Sequence, residues 1–218
     1  MKRRAIIFDL DGTLLDTLQD LGEAMNAVLD EHNFPGHPVS DYRFFVGEGM
    51  EDLVRKVLPE QEKGNEALIE KMVEKMRKEY CRRWSRHSRP YPGVPEMLER
   101  LEGCALPKAV LSNKPHHFVE EMVKKLLGTW SFAVVQGALP GIPLKPDPAA
   151  ALEIAREMKI PPGEIILAGD SGIDMQTAES AGMYGAGVLW GFRDADELLA
   201  AGARTLLSHP RELFELFK

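Results

Sequence analysis

The segment Asp9-Leu10-Asp11-Gly12-Thr13 stands directly behind the apolar run Ala5-Ile6-Ile7-Phe8. Such a run reads as a buried strand, which puts both carboxylates where the strand ends. Residues i and i+2 of a strand point to one side about 6–7 Å apart, within reach of a single reaction centre. Three more polar segments fall at expected strand ends: Ser112-Asn113, Lys145-Pro146 and Gly169-Asp170-Ser171-Gly172-Ile173-Asp174. If these converge, Asp9, Asp11, Asp170 and Asp174 share one crevice, and a close carboxylate pair repels by about 4 kcal/mol at about 4 Å with an effective dielectric of about 20. A cation must balance them. Oxygen-only donors without neighbouring His or Cys select a hard ion, and a few carboxylates completed by water and substrate phosphate describe magnesium better than calcium. Lys145 adds positive charge, and the chemistry indicated is magnesium-dependent phosphoryl transfer.

Each segment also has a plainer explanation. Asp and Gly favour turns, so Asp-Leu-Asp-Gly alone is compatible with a simple turn. Ser171 to Asp174 has the form of a capping box, and Asp174 suits the first turn of a helix. Ser112-Asn113-Lys114-Pro115 reads equally as a strand-to-helix turn or as backbone N–H groups suited to a phosphate.

The elements that must position these residues follow from periodicity. From Asp16 to about Ser88 no strand pattern is convincing. Three stripes recur there at helical spacing: Leu18, Leu21, Met25, Val28, Leu29; then Leu53, Val54, Val57, Leu58; then Leu68, Ile69, Met72, Val73, Met76. A βαβ crossover needs about a dozen residues, so this stretch is expected to build a helical unit of its own, 16–88. It interrupts a core of 1–15 and 89–218, and Tyr91-Pro92-Gly93-Val94 marks the return. The core alternates. Strands are expected at Lys108–Leu111, Phe132–Val135, Glu164–Ala168, Val188-Leu189 and Thr205–Leu207. Helices are expected after Pro95, over His117–Leu127, from Asp147-Pro148 to about Met158, over Ile173–Ala181 and over Asp194–Ala201. That alternation predicts an α/β fold, a Rossmann-like parallel sheet with helices on both faces, which binds ligands at the carboxyl ends of its strands.

Composition narrows the function classes. A chain of 218 residues with 44% hydrophobic and 28% charged residues buries about 70% of its unfolded surface. No apolar stretch approaches the roughly 20 residues that span a bilayer, so no membrane partner is expected. Behind Met1-Lys2-Arg3-Arg4 the apolar run is interrupted by Asp9, too soon for a secretory leader, and a cytoplasmic location is expected. Cys81 and Cys104 have neither metal-type nor redox-type spacing. The net charge of -7 argues against a nucleic-acid partner, and Arg82, Arg83, Arg86 and Arg89 read as a solvated face. The chain is expected to be a monomer or a small homo-oligomer.

The four segments, in this order and spacing, resemble the motifs of the haloacid dehalogenase superfamily, and the resemblance spans the chain. It implies that Asp9 is a nucleophile and Asp11 the general acid and base. Thr13, Ser112, Asn113 and Lys145 would hold the transferring phosphoryl group. Asp170 would complete a Mg2+ site with Asp9 and the Asp11 backbone carbonyl, supported by Asp174. The insertion is similar to the family's α-helical cap, with Gly47, Glu48 and Gly49 in a loop that closes on substrate. For Asp11 to protonate a leaving alkoxide it must hold a proton, a state that a carboxylate neighbour and exclusion of water would favour. Asp at position 11 speaks against the dehalogenases and against phosphonoacetaldehyde hydrolases.

Ser112-Asn113-Lys114-Pro115, Val46-Gly47-Glu48-Gly49, and Leu189-Trp190-Gly191-Phe192 followed by Gly202-Ala203 look like the phosphoglycolate phosphatase group. The expected function is hydrolysis of a small phosphorylated metabolite through an aspartyl-phosphate, with Arg43 and Arg55 as candidate partners for a substrate carboxylate. The alternatives are a β-phosphoglucomutase-like phosphomutase, an inorganic pyrophosphatase, and a non-catalytic binding protein. The presence of Asp9, Asp11, Lys145 and Asp170 together weighs against the last.

Overall fold

The structure is a computed structural model that describes residues 2–217. Strand β1 (Ala5–Phe8) is wholly apolar and wholly buried. It pairs in parallel with β4 (Lys108–Pro115) on one side and β6 (Ile165–Gly169) on the other, which makes it the middle of the sheet. With β5 (Val134–Ala138), β7 (Tyr184–Val188) and β8 (Thr205–Leu207), the six strands lie in the order β5-β4-β1-β6-β7-β8. All are parallel.

The strand period of two divides the interior between the two faces. Ile6 and Phe8 enter one apolar cluster, Ala5 and Ile7 the other. Helices α5 (Val94–Gly103) and α6 (His116–Leu126) pack into the first cluster, and α7 (Ala149–Met158) and α8 (Gly172–Ser180) contribute to the second. Helix α9 (Ala195–Ala200) precedes β8. This is the parallel α/β fold with helices on both faces that the alternation predicts.

β4 runs on to Pro115 beyond the expected Leu111 and β6 is shifted by one residue, while two further strands differ more in position. The expected strand Phe132–Val135 is found at Val134–Ala138, running through Gly137, where an added Cβ would lie 2.6 Å from the His116 Cα and from the Lys114 carbonyl oxygen. That close approach hides the strand from a reading based on apolar side chains. Likewise β7 is found at Tyr184–Val188 rather than at Val188-Leu189; its alternating small residues carry almost no hydrophobic signal in the sequence.

Between β1 and β4 the chain leaves the sheet through β2 (Leu15–Asp16) and returns through β3 (Arg89–Pro90), which pair antiparallel. These two-residue strands are too short to read from sequence. The excursion carries α1 (Leu18–Glu31), α2 (Tyr42–Phe45), α3 (Met50–Val57) and α4 (Glu66–Arg83), with α1 and α3 packed on α4. Each of the three expected apolar stripes lies on one of these helices, save that Leu58 falls just past the end of α3. The first apolar cluster runs unbroken from the sheet into this insertion, where Tyr80 of α4 meets Phe118 of α6 edge to face at 5.1 Å. At the exit, the buried Asp20 carboxylate accepts hydrogen bonds from the backbone N–H groups of His87 and Ser88 and from the Ser88 hydroxyl, tying the two crossings together. No helix among the described residues is long and apolar enough to cross a membrane.

Candidate active site

The carboxyl ends of β1, β4 and β6 bring the polar segments together. Asp9 follows β1 directly, its N–H donating to the Ala168 carbonyl at 2.9 Å. Its Oδ1 accepts the Leu10 N–H at 2.7 Å and lies 2.9 Å from Lys145 Nζ. The turn after Asp11 depends on Gly12, whose φ is +84° and whose missing side chain leaves room for Asp170; a Cβ there would fall 2.2 Å from Asp170 Oδ2. Asp170 is held by the Thr13 hydroxyl at 3.0 Å and the Phe192 N–H at 2.8 Å. Lys145 Nζ donates to Asp174 Oδ1 at 2.6 Å and to the Leu111 carbonyl at 3.1 Å. Asp174 Oδ2 in turn accepts from the Ser171 hydroxyl and N–H, closing the capping box of α8.

Asp9, Asp170 and Asp174 each offer an oxygen within 4.8 Å of the others. Burial pushes the Asp170 carboxyl up to about 8, reinforced by the charges of Asp9 and Asp174. Burial also pushes Asp9 up to about 7, against the opposing pull of Lys145 and helped by Asp174. Burial opposes the Lys145 ammonium, yet Asp174 and Asp9 hold it above its ordinary range. Three buried carboxylates around one ammonium leave a surplus of negative charge, and an oxygen-only donor set of this kind fits a hard divalent cation. Asp9, Asp170 and Asp174 are the candidate ligands, with Asp174 also shared by Lys145 and Ser171.

Asp11 has different company. Its two carboxylate oxygens receive Lys114 Nζ at 2.7 and 2.9 Å, and Thr17 Oγ1 donates to Oδ1 at 2.7 Å. Lys114 is 4% exposed and lies over the Tyr80 ring at 4.6 Å. Burial disfavours its ammonium, but the Asp11 carboxylate holds it well above the usual lysine range. Asp11 therefore has a cation as its immediate partner as well as the Asp9 carboxylate, whose titration its charge affects.

A cavity of about 50 Å³ is lined by Asp9, Asp11, Ser112, Asn113 and Asp170 from the core, and by Val46, Gly47, Gly49, Met50 and Leu53 from the insertion. Asn113 bridges the two parts: its Nδ2 donates to the Gly47 carbonyl at 3.1 Å and to the Lys145 carbonyl at 3.0 Å, while its Oδ1 accepts the Lys145 N–H. Thr13 faces Asp170 rather than the cavity, and Glu48 turns outward to Lys56. Neither arginine singled out in the sequence lines the cavity. Arg55 pairs with Glu51 and Glu66, and Arg43 Nε donates to the Phe192 carbonyl at 2.8 Å. Sequence reasoning passed over Thr17, Lys114 and Arg193. Lys114 was within sight, one residue beyond Ser112-Asn113.

A carboxylate at the end of the central strand, a lysine against it and further carboxylates behind the adjacent strand β6 thus meet at the carboxyl end of a parallel α/β sheet. The family profile described as haloacid dehalogenase-like hydrolase matches residues 6–188, and the chain belongs to that family. It is 30% identical over 221 residues to N-acetylmuramic acid 6-phosphate phosphatase of Pseudomonas aeruginosa, covering 99% of this chain and 95% of that protein. It is 33% identical over 184 residues to phosphoglycolate phosphatase of Thiobacillus denitrificans, covering 82% and 80%. A solved structure of a candidate phosphoglycolate phosphatase from Lactobacillus delbrueckii subsp. bulgaricus superposes with a TM-score of 0.92 at 29% identity, covering 100% of this chain and 99% of that one.

Proposed function

We propose that this protein is a magnesium-dependent phosphatase that hydrolyses small phosphate monoesters through an aspartyl-phosphate on Asp9. The observation that carries the reading is the Asp9–Lys145 contact at 2.9 Å, with Asp9 and Asp170 lining the same small cavity. Family membership and the phosphatase relatives support the same conclusion. Both relatives' names denote phosphorylated acids, which makes phosphoglycolate and N-acetylmuramic acid 6-phosphate the first substrates to assay.

The chemistry follows from the groups present. An Asp9 carboxylate oxygen attacks phosphorus as the ester P–O bond breaks, and Asp11 delivers a proton to the leaving alkoxide. Asp11 then takes a proton from the water that attacks the Asp9-bound phosphoryl group, releasing orthophosphate and free Asp9. Lys145 offsets charge on the phosphoryl oxygens, and the backbone around Ser112 and Asn113 orients them. Asp9, the Asp11 carbonyl and Asp170, with Asp174 behind, would hold Mg2+, which would supply further positive charge to those oxygens. Val46, Met50 and Leu53 give the cavity that holds Asp9 an apolar wall on the side of the insertion. Cys81 and Cys104 are both exposed and free, which supports a reducing, cytoplasmic setting.

The test is phosphate release from phosphoglycolate, N-acetylmuramic acid 6-phosphate, sugar phosphates, nucleoside monophosphates and pyrophosphate, with and without magnesium. Strong magnesium-dependent release from a monoester is expected. Transfer between sugar positions without net release would instead establish a phosphomutase, and silence in both assays would overturn the catalytic reading.

A further inference from the structure

Two short segments meet at the cavity wall, 43–46 of the insertion and 190–193 of the core, and each supplies an arginine to the backbone of the other. From the insertion, Arg43 Nε donates to the Phe192 carbonyl at 2.8 Å. From the core, Arg193 Nη2 donates to the Val46 carbonyl at 3.0 Å and approaches the Phe44 carbonyl at 3.5 Å. Both of these acceptors stand at the end of α2, where helix carbonyls lack partners of their own. The exposed Phe44 ring lies near both guanidinium groups, 5.1 Å from that of Arg43 and 6.0 Å from that of Arg193.

The core segment is built into the site. Trp190 Nε1 donates to the Thr13 carbonyl at 2.9 Å. Position 191 has no room for a side chain, since a Cβ there would fall 2.3 Å from both the Gly12 carbonyl oxygen and the Asp170 Cβ. Phe192 donates its N–H to Asp170 Oδ2 at 2.8 Å. One residue, Phe192, therefore receives the insertion's arginine at its carbonyl and holds a metal-binding carboxylate with its N–H.

The strand order β4-β1-β6-β7 sets Asp9 and Asp170 between two attachments of the insertion. Beyond β4, buried Tyr80 of α4 packs on buried Phe118 of α6. Beyond β7, the attachment consists of the two arginines and their carbonyls. A hydrogen bond that water can replace contributes little net stability, whereas separating buried rings exposes apolar surface to water. Arg193 Nη1 is also buried and has no hydrogen-bond partner among the described residues, so opening on this side would hydrate it. The β7 side is the one built to release.

We infer, on the phosphatase reading of this cavity, that Arg43 and Arg193 are positioning residues that act as one reciprocal clasp. Engaged, the clasp shuts the insertion over Asp9 on the β7 side and fixes the Phe192 N–H on Asp170. Released, it opens that side and frees Asp170 from its backbone donor. Closure of the insertion and cation binding at Asp9, Asp170 and Asp174 then favour each other, as linkage requires.

The experiment is amide hydrogen exchange of the metal-free protein. It is read at Val46, whose N–H donates to the Tyr42 carbonyl, and at Phe192, with Tyr80 and Met122 as references on the β4 side. Arg43→Met and Arg193→Met should each speed exchange at both Val46 and Phe192 by about tenfold or more, the scale of a hydrogen bond to a charged group. Tyr80 and Met122 should stay unchanged. The double variant should do little more than either single one, because both arginines hold one closed arrangement. Arg193→Lys, which keeps a charged donor, should recover part of the protection. In calorimetric titration each Met variant should bind magnesium about tenfold more weakly, the scale for loss of a ligand's supporting contact. Magnesium should slow exchange at Val46 in the wild-type protein and not in the Met variants. Independent contacts would behave differently: Arg43→Met would loosen Phe192 alone, Arg193→Met would loosen Val46 alone, and the effects would add. That pattern overturns the clasp, as does unaltered exchange at both amides, equal acceleration at Tyr80 and Met122, or an unchanged magnesium affinity. Neither measurement needs substrate, so a failed clasp in a protein that hydrolyses phosphate monoesters removes this inference alone. A wild-type protein that hydrolyses no monoester removes the phosphatase reading and, with it, the role of the clasp in that reaction.

Discussion

Lys114 grips both carboxylate oxygens of Asp11, across 103 residues of sequence, and lies over the ring of Tyr80 from the helical insertion. One contact thus connects the proposed proton-transfer group to the end of β4 and to α4. Removing one partner of a buried ion pair leaves the other uncompensated, at a cost of about 3–5 kcal/mol. Lys114→Met should therefore lower unfolding stability in urea by about 3 kcal/mol. It should also reduce kcat more than it alters KM, because Asp11 loses the group that fixes its carboxylate. An unchanged kcat in a folded Lys114→Met protein would show that the pair has no part in positioning Asp11.

Asp9→Asn removes the attacking charge while keeping the side chain's shape. Turnover should fall by at least about a thousandfold, since an amide cannot form the acyl-phosphate. Rapid-quench labelling with phosphorylated substrate should trap phosphoenzyme in the wild-type protein and none in this variant. Residual turnover near the wild-type level would remove Asp9 from its assigned role.

The raised carboxyls at the site make metal and pH effects inseparable. For Asp9 and Asp170 the folded-state values, about 7 and about 8, lie above the unfolded ones, so between about pH 4 and those values the folded state binds more protons. Stability of the metal-free protein should then fall as pH rises through this window. Added magnesium should raise Tm more at about pH 8 than at about pH 5, by about 2–4 °C for each kcal/mol of binding. Asp170→Asn should stabilise the metal-free protein at about pH 8 and abolish the magnesium-dependent shift. Thermal melts at both pH values with and without the ion check all of this. A magnesium shift of equal size at the two pH values would contradict it.

What the sequence revealed depended on whether a feature is local. Ala5–Phe8 announces its strand because it is buried on both faces, and the acidic pair behind it marks the catalytic end of the sheet. The three apolar stripes between Leu18 and Met76 likewise revealed the helices of the insertion. Strand β7 escaped because Gly185 and Gly187 carry no side chain to show a pattern, and β2 and β3 because two residues have no periodicity. At the site, carboxylates and lysine could be named by type. Their pairing could not, since it follows from contacts between distant segments: Lys114 with Asp11, Thr13 with Asp170, Arg193 with Val46. Arg43 and Arg55 show the reverse error, in which a suitable residue type on the right element is directed elsewhere by its neighbours.

The pair of crossings between sheet and insertion offers a last test, centred on Asp20. Burial alone would raise its carboxyl, but the His87 and Ser88 backbone N–H groups, the Ser88 hydroxyl and the His87 ring nitrogen 2.9 Å away hold it below the ordinary range. A carboxyl lowered on folding contributes stability above its unfolded value of about 3.9 and loses it as pH falls through the lower folded value. Asp20→Asn should thus cost about 2–3 kcal/mol near neutral pH, where hydrogen bonds to a charged acceptor are lost. The gap between wild type and variant in urea unfolding should narrow as pH is brought from about 6 toward about 3, because protonated Asp20 approaches the amide in charge. Since these bonds join α1 to the return crossing beside β3, the variant should also expose the amides of His87 and Ser88 to faster hydrogen exchange. A stability gap that stays constant with pH would mean that Asp20 acts through packing rather than charge, and unaltered exchange at His87 and Ser88 would mean that the crossings are held together by β2 and β3 alone.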